Sequence, residues 1–249
     1  MDLPVRTETQ LASTIAKLHK SGAYSDFKIV CGQNTYNVHK AIICPQSAFF
    51  KAACRPDTFQ EGRTGIIVIP ATAGRDAAYH EKPVKVDDFD WDLDVETTTA
   101  VKLMIHYFYH HNYLEGDGEF NQPKYDSNPS SRTLGQGILA EHSRMYAMGE
   151  KYGIPGLKAL AVEKFWRVIR KTNSGLTAAV MITYKGLPES DKRLRDKVVE
   201  ALDAYHHDFA EMSDVQDIIS EIPTLARCLY LKSLAHEKDL QLQLALAKA

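Results

Sequence analysis

The stretch from Tyr24 to Phe50, YSDFKIVCGQNTYNVHKAIICPQSAFF, constrains the fold of this chain more tightly than any other. Two short β-prone segments, Phe27 to Cys31 and Thr35 to Val38, flank Gly32-Gln33-Asn34, which predicts a hairpin. A helix is expected to begin near His39. Pro45 has no backbone N–H to donate and disfavours helix at the residue before it, so that helix should stop near Cys44. Ser47 is the expected N-cap of a second helix carrying Phe49, Phe50, Ala53 and Cys54.

The order D-F-x-I (Asp26 to Ile29), H-K-x-I-I (His39 to Ile43) and S-x-F-F (Ser47 to Phe50) resembles the BTB/POZ family. Phe59 and Glu61, followed by Ile66 to Ile69, are similar to the F-x-E and short strand that come next in that family. Tyr146 to Phe165, YAMGEKYGIPGLKALAVEKF, looks like its fungal branch, where a Y-x-x-A/G-x-K-Y-x-I-P-x-L-K signature closes the domain and opens a helical extension. The resemblance spans roughly Leu11 to Phe165 with two interruptions. It implies an α+β fold: a small mixed sheet flanked by helices over residues 1–153, then an all-helical C-terminal region over 154–249.

The interruptions fall near 71–92 and 115–136. The first ends in Asp87-Asp88-Phe89-Asp90-Trp91-Asp92-Leu93-Asp94, whose aspartate spacing starts like a calcium-binding EF-hand loop. The rest of that pattern is missing, because Leu93 stands where glycine is needed and Thr99 where a bidentate glutamate is needed. Extended chain with Phe89, Trp91 and Leu93 on one side is expected instead, covering this domain or engaging a partner. Glu115 to Gln136, rich in Gly, Pro, Ser, Asn and Asp, should be a mobile loop.

Between and after these, helices are expected at Val95 to Tyr109, Glu141 to Tyr152, Pro155 to Lys171, Gly175 to Tyr184, Asp191 to Asp208, Val215 to Ser220, and from Pro223 onward. Ahead of the hairpin, Leu11, Ile15 and Leu18 recur at i, i+4 and i+7, giving an amphipathic helix that needs a partner surface. By resemblance that surface is a second subunit across a two-fold axis; packing onto its own domain is the other reading.

A chain of 249 residues can bury a sizeable core, and its net charge of -2 supplies no global attraction to nucleic acid or anionic membrane. No apolar run approaches the roughly 20 residues needed to cross a bilayer. The four cysteines, Cys31, Cys44, Cys54 and Cys228, form no CxxC pair and point to reduced thiols in cytosol or nucleus. Cys44 and Cys54 read as small buried hydrophobes.

Little in the sequence suggests catalysis. His106 and His110 stand four apart on a helix, as zinc ligands can, but Tyr107 occupies the glutamate position of H-E-x-x-H. A zinc-dependent enzyme is therefore the minor alternative to exposed or aromatic-packed histidines. No cofactor or phosphate-binding fingerprint is present. Lys151 to Lys171 holds six cations against Glu163, which reads as a solvated basic face with Phe165 and Trp166 serving the core.

The resemblance implies a non-catalytic protein–protein interaction module that forms a homodimer through Leu11, Ile15 and Leu18. Asp26 and Lys40 would lie in a partly buried charged pocket near the seam. One implied partner is a cullin-3-type scaffold, which would make the chain a substrate adaptor of a ubiquitin ligase, reading a hydrophobic-x-Glu element at Tyr113-Leu114-Glu115 with Tyr109 beside it. No kelch, MATH, ankyrin or zinc-finger segment lies within these residues, so an unknown substrate protein would meet the helical region from Pro155. A homodimeric scaffold unrelated to ubiquitination is the alternative.

Overall fold

The computed structural model describes residues 5–56, 58–70, 95–113, 137–206, 209 and 211–247. The aspartate-rich stretch to Asp94, the 115–136 segment and Glu115 itself lie outside the described residues. Among the described residues the fold is α+β, three strands and eleven helices.

Helix α1 (Val5–Ser21) leads into β1 (Phe27–Cys31) and β2 (Asn34–Val38), which pair antiparallel from Phe27 opposite Val38 to Cys31 opposite Asn34. That register leaves only Gly32 and Gln33 in the turn. Gly32 sits at φ 57, a left-handed backbone that a two-residue hairpin turn requires and glycine adopts without strain. Asn34 therefore belongs to the strand rather than to the expected three-residue turn.

Helix α2 (Lys40–Ile43) follows and stops where Pro45 ends it. At α3 (Ala48–Ala53), Ser47 is the N-cap as expected, its Oγ accepting from Phe50 N–H at 3.1 Å. After α4 (Gln60–Thr64), β3 (Ile66–Ile69) returns parallel to β1, so the sheet order is β2-β1-β3. Ile67 and Ile69 face inward while Ile66 and Val68 face out, the alternation a one-sided sheet demands.

Helix α5 (Thr98–His110) is capped by the Thr97 hydroxyl, which accepts from Ala100 N–H. It is buried almost all round: Val101, Leu103, Met104, Ile105 and Phe108 all lie in the core. The remaining helices are α6 (Ile138–Lys151), α7 (Pro155–Ile169), α8 (Leu176–Lys185), α9 (Arg193–Ala204), α10 (Ser213–Glu221) and α11 (Pro223–Leu246). Pro155 and Pro223 open their helices, where a missing N–H costs nothing. Helices α6, α7 and α8 pack on one another, and at the start of α6 Gly137 meets the backbone of Gly175 too closely for any Cβ.

One hydrophobic cluster runs from Phe27 in β1 to Leu225 in α11. Two contacts tie the start of α3 to the end of α6: Ser47 Oγ donates to the Tyr152 carbonyl at 2.6 Å, and Ala48 N–H to the Gly153 carbonyl at 3.1 Å. The helix α11 contributes little to that core. Leu225 is its one fully buried side chain, and Tyr230, Leu231, Leu240, Leu242, Leu244 and Leu246 are exposed.

Candidate interaction surface

The helix α1 lies against α5, and its apolar stripe is divided by that contact. Ile15 is half-buried on the core and Leu18 is half-buried, whereas Leu11 is 64% exposed. Packing on its own domain therefore consumes only the C-terminal half of the stripe. Past α1, Tyr24 adopts φ 62, a left-handed backbone unusual for a bulky residue, and is 91% exposed. It is held out beside Asp26 at the corner that joins α1 to the sheet. Nothing in its sequence neighbourhood marks Tyr24; only the backbone conformation does.

Within one protomer Asp26 and Lys40 meet through a backbone hydrogen bond. Asp26 is exposed, and its Oδ1 accepts from the Lys40 backbone N–H at 2.8 Å. The carboxylate thus satisfies a donor at the start of α2, where the His39 side chain supplies no cap. Lys40 Nζ instead sits over the Phe27 ring, 5.4 Å from its centroid. Within one protomer the pair thus forms a helix cap.

Tyr109 and Tyr113 are both buried, so neither side chain is offered to solvent. Tyr109 organises the junction of β2 and α2. The Ala23 carbonyl can only accept, so His39 Nε2 carries the proton in the 2.7 Å contact between them. On its other side Nδ1 lies 2.7 Å from the Tyr109 hydroxyl, and the same oxygen accepts from His39 N–H at 3.0 Å. Burial pushes the Tyr109 hydroxyl up to about 12, which keeps it a donor.

Tyr113 is enclosed by α6 and α7. Its hydroxyl meets His142 Nδ1 at 3.1 Å, its carbonyl accepts from Lys164 Nζ, and that ammonium lies 4.7 Å from its ring centroid. Lys164 is itself buried and so does not belong to the expected solvated basic face, whereas Lys151, Arg167, Arg170 and Lys171 are exposed. Its neighbours are also engaged: Lys158 bonds Glu150 and Asp191, Lys151 pairs with Glu96 at 2.8 Å, and Arg167 with Glu163 at 2.7 Å. Phe165 is in the core and Trp166 packs beside it under Lys197, as expected.

His106 and His110 stack face to face, with centroids 4.0 Å apart and planes 15° apart. His106 donates from Nδ1 to the Asn112 carbonyl at 2.9 Å, which commits that nitrogen. Among the described residues no group of three or more His, Cys, Asp or Glu is arranged to hold a metal ion. Cys54 is buried, and desolvation followed by a hydrogen bond with Cys44 raises its thiol to about 12, the character of a packing residue rather than a nucleophile.

Residues 15–73, from the middle of α1 to just past β3, match the family model of the BTB/POZ domain. This segment is a BTB/POZ domain. Its helices and sheet are those whose motifs were legible in the sequence, and it marks the chain as carrying a protein–protein interaction module. No curated protein matches the chain. Within this domain Tyr24, Asp26 and the outer face of β3 are exposed, as is Leu11 just ahead of the matched residues. Among the described residues no helix is long and apolar enough to cross a membrane.

Proposed function

We propose that this chain is a non-catalytic, self-associating BTB/POZ protein that recruits a second protein, with a cullin-3-type scaffold as the candidate partner and an unknown substrate held by its helical region. The observation that carries self-association is the half of the α1 stripe left uncovered at Leu11, next to the outward Tyr24. An exposed apolar side chain gains stability when a partner removes it from water. A two-fold copy of the same surface would cover both and bring Asp26 of each protomer to the seam.

In this reading Tyr109 and Tyr113 position the partner surface from beneath, and Glu115 is the proposed contact. The exposed leucines of α11 suit the substrate side. Four free cysteines accord with work in cytosol or nucleus. A homodimeric scaffold without a cullin partner is the second reading, favoured by the burial of both tyrosines.

Light scattering on the purified protein tests the proposal. Wild type is expected at twice the 28.0 kDa protomer mass, and Leu11→Asp, an exposed change that leaves the fold intact, at the protomer mass. A monomeric wild type would remove self-association. Mixing with a cullin-3 N-terminal domain at roughly tens of micromolar should add one scaffold per protomer. No complex at that concentration would leave the scaffold reading.

A further inference from the structure

Four histidines from three parts of the chain converge where α1 meets α5. His19, near the end of α1, stacks on the Tyr109 ring with centroids 4.5 Å apart and planes 11° apart. Its Nδ1 lies 3.0 Å from His110 Nε2, and its ring centroid is 5.2 Å from that of His110 and 5.8 Å from that of His106. His39 approaches the other side of Tyr109, its centroid 5.7 Å from the phenol. The contact is half-buried and joins residues 91 positions apart.

We propose that this histidine cluster is a proton-controlled latch, holding α1 on α5 while its imidazoles are neutral and releasing α1 on mild acidification. A neutral imidazole has one N–H and one lone pair, so in the His19–His110 contact one ring donates and the other accepts. A proton on the accepting nitrogen turns the bond into two N–H groups facing each other. A proton elsewhere on either ring places a cation among neighbouring imidazoles in a partly desolvated site. Facing His19 are His106, His110 and Tyr109 from α5 and His39 from the start of α2; on α1 itself Lys17 and Lys20 flank it. The Asp26 carboxylate acts on Tyr109, and no carboxylate is among the groups that move the His19 equilibrium.

The energetics agree with the geometry. Desolvation first, then His110, His106 and His39, lower the His19 pKa from 6.5 to about 4. A released α1 returns that ring to water, where it takes up a proton near its ordinary value. Between pH 7.5 and 5.5 the released form is therefore favoured by about tenfold. The latch concerns α1 on its own domain and does not rest on the two-fold assembly.

Hydrogen–deuterium exchange of the full chain at the two pH values, corrected for intrinsic exchange, reads the opening directly. Protection of α1 amides should fall by about tenfold at pH 5.5, while that of α7 stays level. His19→Phe keeps the stacking on Tyr109 without a titrating group, and its α1 protection should be the same at both values. Should that variant misfold, the titration of the ring proton of His19 in wild type decides: a midpoint below 5 supports the latch. Unchanged wild-type protection of α1, an equal fall in His19→Phe, or a His19 midpoint at or above 6.5 would overturn it.

Discussion

Ser47 shows how much one hydroxyl can organise. Its oxygen accepts from Phe50 N–H to start α3 and its proton goes to the Tyr152 carbonyl at the end of α6, so a single buried atom joins the two helices. Ser47→Ala leaves both backbone groups buried without that partner, at a cost of about 1–3 kcal/mol. A urea midpoint series should show the loss with an unchanged slope. A change below about 0.5 kcal/mol would mean that water replaces the hydroxyl. Ser47 was legible because Pro45 ends one helix and the S-x-F-F run opens the next, all within local reach. Lys164 was not read correctly, although the signal existed: it falls seven residues after Leu157, on the same helix stripe as Leu157 and Ala161, both buried. Charge alone suggested solvent there, and the Tyr113 carbonyl that receives the ammonium lies 51 residues away.

At the level of elements, the short helix α2 depends on a cap borrowed from the preceding strand's entry. Asp26→Ala should cost about 1 kcal/mol, whereas Asp26→Asn, which keeps an acceptor for Lys40 N–H, should cost about half of that or less. Thermal midpoints of the two variants compare them, and equal losses would show that the carboxylate's charge, rather than its hydrogen bond, matters. The hairpin, α2, α3 and β3 were all legible, because periodicity, glycine and proline act over a few residues. Helix ends were less so: α9 spans Arg193–Ala204 rather than Asp191 to Asp208, and Asp191 stands just ahead of it, accepting from Arg193 N–H as well as from Tyr146 and Lys158. The histidine cluster was legible only as the pair His106 and His110 on one face of α5. His19 and His39 reach it through tertiary packing, which no local pattern reports.

For the molecule as a whole, acid sensitivity follows from histidines held neutral. His142 is buried against Tyr113, and desolvation, then the charges of Lys164 and Arg167, lower its pKa from 6.5 to about 3. A histidine with a lowered folded value binds fewer protons than its unfolded counterpart between those two values, so stability rises with pH there and is complete above 6.5. As pH falls below 6.5, unfolding should become easier with a limiting slope of about 1.4 kcal/mol per unit from His142. His19 adds a smaller share because water screens it. Denaturant midpoints between pH 7.5 and 5 should show this decline, and His142→Phe should flatten it; a decline that persists in full would assign the effect to other groups.

The order β2-β1-β3 has a consequence for how the sheet is assembled in time. The middle strand meets β2 after a two-residue turn, but meets β3 only after residues 32–65 have doubled back through three helices. Closing that longer loop costs roughly 2–3 kcal/mol more chain entropy than closing the hairpin. The parallel edge is consequently the first part of the sheet to come apart when α2, α3 or α4 is weakened, while the hairpin persists.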